Sequence, residues 1–570
     1  MSQLSNKLSQ FWQELKRRRV IHVIIVYATA AVVIIGLVSD VYESLRLPDW
    51  TPALTLIILA IGFPLVIIFS WIYNVSRKGI VKTEAIDSIE QKREAHSTSA
   101  ITTSQEKSII VLPFENISPD PDQEYFSDGL TEEIITDLSH IHELLVISRS
   151  SAMTFKGAKK KIKEIAREVN VKYVLEGSVR RAGNNLRITA QLIDASKDVH
   201  LWAEKYNDTL ENVFDIQEKV SRSIVDALKL KLSPKEKQDI AERPIENVHA
   251  YEYYLRARYE IDTFTEEGLD RAIQYLETGR EITGENALLY AGFAYTYFHY
   301  YNLGKPKEYL DQGLHYATKA LELNPESSEG HFITGALYFF TGNPGDLRKL
   351  GFHFRRALAI NPNNCEALFH LEVVYNFMGK TSAVAPLVER HLNIDPFSFY
   401  GYLSKALMHL FEGEIDLALE VSDRLNQLSQ GVPPVQFMYA VVLAYNRHLD
   451  DAYAVFDHNH KTHPENVFSQ LGIFFKYALQ GEKTKALQSI NSLILDWSKR
   501  DFTNPWTLVI GLSLIDEKEE ALNWFEEWVN LGCVNYPLFS KDPFLENIRG
   551  EIRFKKLMKR VKYEWENFEV

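Results

Sequence analysis

Two long apolar runs stand at the beginning of the chain. They cover residues 20–38 and 54–73, and the second run contains no charged residue. A helix of ~20 apolar residues is long enough to span a hydrocarbon core of ~30 Å. The pattern therefore predicts two transmembrane helices, over 20–40 and 52–74, after a short segment of residues 1–19.

Charged residues around these runs predict their orientation. Basic residues lie before the first run and after the second, whereas the loop between the runs is mostly acidic. Because positive charge is retained on the cytoplasmic side, both outer ends should face the cytoplasm. A secretory signal peptide is the alternative for the first run, but its length and the second run disfavour it. We expect a multi-pass protein of the inner membrane with cytoplasmic soluble domains; a periplasmic location is the alternative.

A polar segment without aromatic residues follows the second run. Its composition cannot bury a core, so residues 75–107 are predicted to be a linker. From residue 108 the pattern becomes that of mixed strands and helices. It predicts a buried strand SIIVLPF, a helix over 124–138, a second strand LLVISRS (144–150) and a basic helix over 162–169. Further strands YVLEGSV, LRITAQLID and HLWAEKYN and a closing helix over 213–230 follow. This order of elements predicts an α/β domain over 108–235.

The rest of the chain is helical and repetitive. Ala418, Ala452, Ala486 and Ala521 lie 34, 34 and 35 residues apart, and 34 residues is the tetratricopeptide period. Gly342, Gly379, Gly413 and Gly481 fit the tight turn between the two helices of a unit, and Pro325, Pro362, Pro396 and Pro464 fit the stop after the second helix. Glu372 departs from this pattern, because Gly or Ala is usual at its position. About eight units and a C-terminal capping helix are predicted over 247–570, stacked into an all-α superhelix.

Several contiguous strings between residues 108 and 230 carry a family resemblance. SIIVLPFENIS, EYFSDGLTEEII, YVLEGSVRRAGNNLRITAQLIDA and HLWAEKYNDTLENVFDIQ resemble the TolB amino-terminal-like (FlgO-like) domain. Proteins with this domain typically continue into tetratricopeptide repeats, and some begin with a class III adenylate cyclase or a winged-helix domain. The resemblance implies a binding or assembly module without catalytic activity. Only 19 residues precede the first predicted span, so neither preceding domain, nor the two metal-binding aspartates of a cyclase, is expected.

Three polar clusters of the middle domain are candidate binding or catalytic sites. Asp120, Asp122 and Asp128 suggest calcium, but a solvated turn is favoured because prolines interleave the acids and the spacing of a calcium loop is missing. A run of lysines suggests phosphate or lipid contacts, yet a solvated helix start is favoured; it comprises Lys156, Lys159, Lys160, Lys161 and Lys163. Ser148, Ser150 and Ser151 have no base nearby in sequence that would make one of them a nucleophile. Only a base that the fold brings close could do so.

Metal and nucleotide sites find little support in the sequence. His458, His460 and His463 lack a carboxylate at helical spacing, which disfavours a metal site. Cys365 and Cys533 are too few for a zinc cluster or a disulfide framework. No Walker-type phosphate loop and no HExxH motif occur. We therefore expect no catalytic residues, no cofactor and no metal.

The function predicted from these features is that of a membrane-anchored scaffold. Its repeats are expected to bind a protein through the concave face of 247–570, and residues 20–40 and 52–74 to contact the bilayer. The alternative is a sensory or regulatory protein whose TolB-like domain binds a ligand and modulates a partner without catalysis of its own. The net charge of −13 argues against nucleic acid as a partner.

Overall fold

The fold divides the chain into two units, residues 1–103 and residues 104–570. The computed structural model describes residues 31, 53–56, 59, 63, 73–76, 79–82, 106–120, 123–241, 243–429 and 431–569. Nearly all of the second unit is therefore described, and only short pieces of the first.

The described residues of the first unit correct the predicted membrane topology. Strand β1 (Tyr73–Ser76) pairs antiparallel with strand β2 (Gly79–Lys82), so the end of the predicted second span and part of the predicted linker are extended. Most of 20–40 and 52–74 lies outside the described residues, and within the described part no helix combines the length and the apolar character that crossing a bilayer requires. The predictions of two transmembrane helices and of a multi-pass inner-membrane protein are therefore wrong, and bilayer contact is not supported. At the end of the predicted second span hydropathy misled, because aromatic and β-branched residues such as Tyr73 and Val75 also favour strands.

The second unit begins with the predicted α/β domain. Its strands are β3 (Ser108–Val111), β4 (Glu115–Asn116), β5 (Leu145–Val146), β6 (Tyr173–Ala182), β7 (Asn185–Asp194) and β8 (Val199–Thr209). Its helices are α1 (Glu124–Ser139), α2 (Arg149–Met153), α3 (Ile162–Glu168), α4 (Val213–Ala227) and α5 (Pro234–Ala241). The sheet order is β5-β3-β6-β7-β8, with β4 beside β6. Strand β3 is parallel to β5 and β6, and the long strands β6, β7 and β8 form an antiparallel meander.

Alternating side chains explain how this sheet acquires a buried face. In β7, Leu186, Ile188, Ala190 and Leu192 are buried, while the intervening residues are more exposed. This alternation is what a strand with one buried face requires. Helices α1 and α4 pack on each other, and α4 also packs on β7 and β8. The helix predicted over 124–138 and the strands predicted from sequence are thereby confirmed, with one exception. The strand predicted at LLVISRS is shorter than expected: only Leu145–Val146 form β5, and helix α2 begins at Arg149.

Everything after the α/β domain is helical. The helices of the array are α6 (Val248–Ile261), α7 (Glu266–Thr283), α8 (Ala287–Asn302), α9 (Lys307–Leu323), α10 (Ser328–Phe339), α11 (Leu347–Ile360), α12 (Cys365–Phe377), α13 (Thr381–Ile394), α14 (Phe399–Glu412), α15 (Ile415–Leu428), α16 (Pro433–Tyr445), α17 (Leu449–Thr462), α18 (Val467–Leu479), α19 (Lys483–Ser489), α20 (Ser492–Ser498), α21 (Trp506–Leu514), α22 (Lys518–Asn530), α23 (Tyr536–Lys541), α24 (Glu546–Arg549) and α25 (Ile552–Glu566). Successive helices pack in pairs, the first being α6 with α7, then α8 with α9, α10 with α11 and α12 with α13.

The repeat features predicted from the sequence occupy their expected places. The periodic alanines lie fully buried in second helices of pairs; they are Ala418, Ala452, Ala486 and Ala521. The periodic glycines all have positive φ at the turn inside a pair; they are Gly342, Gly379, Gly413 and Gly481. Such a backbone costs glycine little, because it has no Cβ. The tetratricopeptide-like prediction for this region is confirmed.

The irregular residue Glu372 has a structural partner. Its side chain is fully buried in α12, and His391 of α13, also buried, places Nδ1 3.1 Å from a Glu372 carboxylate oxygen. Ser398 lies 3.0 Å from Nε2 of the same imidazole. A buried polar pair replaces the close helix contact that a small residue provides in other units.

The end of the array folds back onto its middle. Phe502, just before α21, packs on Phe339 with ring centroids 4.9 Å apart. The Asn535 amide donates to the carbonyl of Asn376 at 2.9 Å, and the Trp565 indole donates to the carbonyl of Gly379 at 3.1 Å. The carboxyl ends of α10 and α12 are therefore covered by the chain itself.

Replacing Glu372 should destabilise the array, because it leaves a buried imidazole without its carboxylate. We expect Glu372→Ala to lower the free energy of unfolding by ~3–5 kcal/mol, measured by urea denaturation. Glu389→Ala, on the exposed side of α13, is the matched control and should change it by less than ~0.5 kcal/mol. The paired change Glu372→Leu/His391→Leu should recover much of the loss. Equal unfolding free energies for Glu372→Ala and the control would contradict this role.

Candidate ligand cavity and serine latch

Helix α1 of the α/β domain packs directly on α6, the first helix of the array. A Cβ placed on Gly129 would lie 2.8 Å from both methyl carbons of Leu255, so this approach depends on glycine. Ile134 of α1, Leu255 of α6 and Phe293 of α8 belong to one continuous buried cluster. The α/β domain and the first two helix pairs therefore share a core.

A second contact joins the α/β domain to the turn between α13 and α14. The Ser150 hydroxyl donates to Asp395 Oδ2 at 2.7 Å, and the Ser151 hydroxyl donates to Asp395 Oδ1. The backbone N–H of Ser148 donates to the carbonyl of Ile394 at 2.8 Å. We call Ser148, Ser150, Ser151 and Asp395 the serine latch. The partner of the serine cluster is thus a carboxylate, which the fold brings from 244 residues away.

Between these two contacts lies a cavity of about 1510 Å³. Its walls are α1, α4 and α5 on one side and the first helices of four successive pairs, α6, α8, α10 and α12, on the other. Its polar lining includes Glu133, Asp137, Tyr254, Glu329 and Glu366. The α/β domain therefore covers this face of the array but does not fill it.

Arginines of the cavity wall are held by carboxylates on both sides of the interface. Arg258 donates to Glu132 at 2.8 Å, and Arg149 lies 2.9 Å from Asp262 and 3.2 Å from Glu132. Glu132 and Arg149 belong to the α/β domain, whereas Arg258 lies in α6 and Asp262 directly follows it. The Arg258–Glu132 and Arg149–Asp262 ion pairs therefore cross the interface. They are partly buried, so solvent screens them less than surface pairs.

Two carboxylates on α1 are strongly perturbed. Burial raises the pKa of Glu133 to about 8, and the nearby charges of Asp137, Glu132 and Glu329 add to this shift. Burial also raises the pKa of Asp137 to about 7, although a hydrogen bond from Ser221 at 3.1 Å opposes the shift. Glu133 and Asp137 are one turn apart on the helix, which places them side by side. At neutral pH part of the acid in the cavity is therefore in the neutral form.

The fold pairs part of the acidic cluster with the basic run. Lys156 donates to both carboxylate oxygens of Asp128, at 2.7 and 2.8 Å, and lies 2.6 Å from Glu124. Asp120 accepts from the amide of Gln123 at 3.1 Å, and Asp122 lies outside the described residues. An ion pair and a capped turn, not a set of calcium ligands, account for the described members of the cluster. Lys159, Lys160, Lys161 and Lys163 are exposed.

Two groups of residues in the described part of the chain have metal-ligand spacing. One is exposed, with His409, Glu412 and Glu414; the other contains Cys365, His391 and Asp395, with ligand atoms within 4.8 Å of one another. Both ring nitrogens of His391 already have polar neighbours, Glu372 and Ser398, and Asp395 accepts from the serine latch. Hydrogen bonds therefore account for the second group. His458, His460 and His463 belong to neither.

The cavity and the latch have almost no signature in the sequence. Glu133 and Asp137 stand in an ordinary helical pattern, and Asp395 lies in a turn of the array. The one available signal was Gly129, because glycine inside a helix weakens it and often marks a close contact.

Comparison with known proteins gives partial matches. Residues 104–223 match the family model of the second domain of HilA/YgeH-like transcriptional regulators. A protein from Rhizobium meliloti (strain 1021), described as putative adenylate cyclase 3, is 41% identical over 228 residues, which cover 40% of this chain and 39% of that protein. The chain thus spans about two fifths of the length of this relative. The TolB amino-terminal-like assignment is not confirmed.

Solved structures show weaker likenesses. A tetratricopeptide repeat protein from Parabacteroides merdae is 17% identical, with a TM-score of 0.33, over 50% of this chain and 100% of that chain. TolB from Acinetobacter baumannii is 21% identical, with a TM-score of 0.17, over 21% of this chain and 28% of that chain. Likenesses this low carry no argument about function.

The raised pKa values of Glu133 and Asp137 predict a pH effect on stability. Between about pH 4.5 and pH 8 the folded protein keeps protons on these groups that the unfolded chain has released. Their contribution to stability is therefore present below this window and lost as the pH rises through it. Glu133→Gln/Asp137→Asn should raise the melting temperature at pH 8 by on the order of 2 °C and change it little at pH 5. An equal change in melting temperature at both pH values would contradict the raised pKa values of Glu133 and Asp137. Glu115→Gln, at an exposed site on β4, is the control and should leave the melting temperature unchanged at both pH values.

Proposed function

We propose that this chain is a repeat-protein scaffold for protein partners, with an α/β domain that regulates access to the repeats. The observation that carries the proposal is the serine latch, which attaches the α/β domain to the fourth helix pair. Between this latch and the contact of α1 with α6, a cavity separates the α/β domain from the array. Stacked helix pairs are suited to binding peptides or helices, because they expose an extended surface. We propose no catalytic role, and the exclusion of nucleic acid remains a prediction from charge.

The α/β domain contacts the array in two places, and the contact at one of them is easier to break than the contact at the other. At α1 and α6 the contact is a shared apolar core, whose exposure to water would cost about 25 cal/mol per Å². At the serine latch the contact consists of hydrogen bonds to a carboxylate beside an aromatic contact, between Phe155 and Phe397 with ring centroids 5.9 Å apart. Water can replace these hydrogen bonds at small net cost. The α/β domain should therefore stay with the first two pairs when it separates from the fourth.

A second candidate function is ligand sensing by the α/β domain. The cavity favours it, since a ligand there would touch α1 and the array at once. A ligand that binds the closed arrangement better than the open one would shift the latch equilibrium. Sensing and scaffolding are then two parts of one mechanism.

Opening the serine latch should increase partner binding. We expect Asp395→Ala to speed amide hydrogen exchange at residues 148–155 and 394–398, and to capture at least one protein from a source-cell extract more efficiently than the wild-type chain. The captured protein is then purified, and its affinity for both chains is measured by calorimetry. Asp416→Ala, an exposed acid on α15, should behave as wild type.

The capture and affinity measurements test the scaffold role and the regulatory role separately. If no protein is captured by either chain, the scaffold role is wrong. If a partner binds the wild-type and Asp395→Ala chains equally well, the array binds proteins but the α/β domain does not regulate it.

A further inference from the structure

The cavity has an excess of uncompensated acid. Its basic side chains already have carboxylate partners: Arg149 and Arg258 pair with Glu132, Lys235 with Glu326, and Arg243 with Asp215. Within the part of the chain that the structure describes, Glu133, Asp137 and Glu329 line the cavity without an ion-pair partner. Burying carboxylates without a cation is unfavourable, which is why the pKa values of Glu133 and Asp137 are raised.

A second, independent feature of the cavity also points to a ligand. Tyr254 of α6 is only 7% exposed and lines the cavity, yet its hydroxyl has no hydrogen-bond partner among the described residues. The same hydroxyl is near enough to Arg258, and to the carboxylates of Glu133, Glu132 and Glu329, to be influenced by their charges. A buried phenol usually finds a hydrogen-bond partner. A ligand at the carboxylates would provide one.

The shape and lining of the cavity favour an organic ligand over a metal ion. Glu133, Asp137 and Glu329 do not belong to either described group with metal-ligand spacing. The volume of about 1510 Å³ is far larger than one ion and its ligands need. Tyr251, Tyr254 and Tyr295 add aromatic surface to the walls, and aromatic rings attract organic cations.

We propose that the cavity binds an organic polycation of the alkylamine class, with its ammonium groups at Glu133, Asp137 and Glu329 and a hydrogen bond to the Tyr254 hydroxyl. Ammonium groups supply the positive charge that these carboxylates lack and the donors that their oxygens accept. The alkyl chain between the amines packs on the tyrosine rings. The inference goes beyond the scaffold role, because it holds whether or not a protein partner binds the array.

The position of the cavity gives such a ligand a structural effect. Glu133 and Asp137 belong to the α/β domain, whereas Glu329 and Tyr254 belong to the array. A polycation between them would bridge the α/β domain and the array, and would stabilise the closed arrangement together with the serine latch. We expect bound polycation to slow hydrogen exchange at the latch.

Spermidine is a suitable probe, and calorimetry on the full chain is the test. We expect saturable binding with a dissociation constant below millimolar, and a higher melting temperature with spermidine than with MgCl2 or NaCl of equal ionic strength. Glu133→Gln/Asp137→Asn should weaken binding by at least ~10-fold, because charge-assisted contacts are lost. Tyr254→Phe should weaken it by ~3–10-fold through loss of one hydrogen bond.

Controls separate the site from general charge attraction. Glu115→Gln, on the exposed strand β4, removes an acid outside the cavity and should leave binding unchanged. A lysine-rich peptide tests whether the ammonium groups come from a protein segment; binding of the peptide but not of spermidine would overturn the proposal. No saturable binding of spermidine at millimolar concentration, equal stabilisation by Mg²⁺, or unchanged affinity in the cavity variants would also overturn it. None of these results bears on capture of a protein partner.

Discussion

The packing of α1 on α6 is the contact on which the rest of the second unit depends. Gly129 lets the two helices approach until the methyl carbons of Leu255 lie only 2.8 Å from the position that a Cβ would take. This approach joins the core of the α/β domain to that of the first helix pairs. Because apolar burial is the main favourable term in folding, the shared core fixes the α/β domain on this side of the array. The positions of the cavity and the serine latch follow from it.

The cavity lies between two contacts that hold the α/β domain on the array. The core at α6 fixes one edge and Asp395 the other, so the carboxylates of α1 face those of the array across a gap. An interface that evolved only for stability would pair or remove these charges, since a buried charge without a partner is costly. Unpaired carboxylates beside an unpaired tyrosine are therefore better explained by a ligand than by packing.

The array shows how a repeat tolerates departures from its pattern. Glu372 replaces a small residue, and His391 and Ser398 satisfy the buried carboxylate and its imidazole. The C-terminal segment, through Asn535 and Trp565, covers the carboxyl ends of first helices that would otherwise expose backbone carbonyls. The C-terminal segment thus covers part of the middle of the array.

The sequence by itself determined the order of elements, the α/β domain and the repeat period, because hydrophobic periodicity, turn glycines and helix-stopping prolines act over a few residues. It misled at residues 73–82, where an apolar run predicted the end of a membrane helix and a polar composition predicted a linker, but the residues form paired strands. Only the tertiary structure decided which distant groups meet. Ser151 and Asp395 are 244 residues apart, and no local pattern specifies their hydrogen bond. The cavity likewise depends on how two folded parts pack, and that is set by the shape of a shared core.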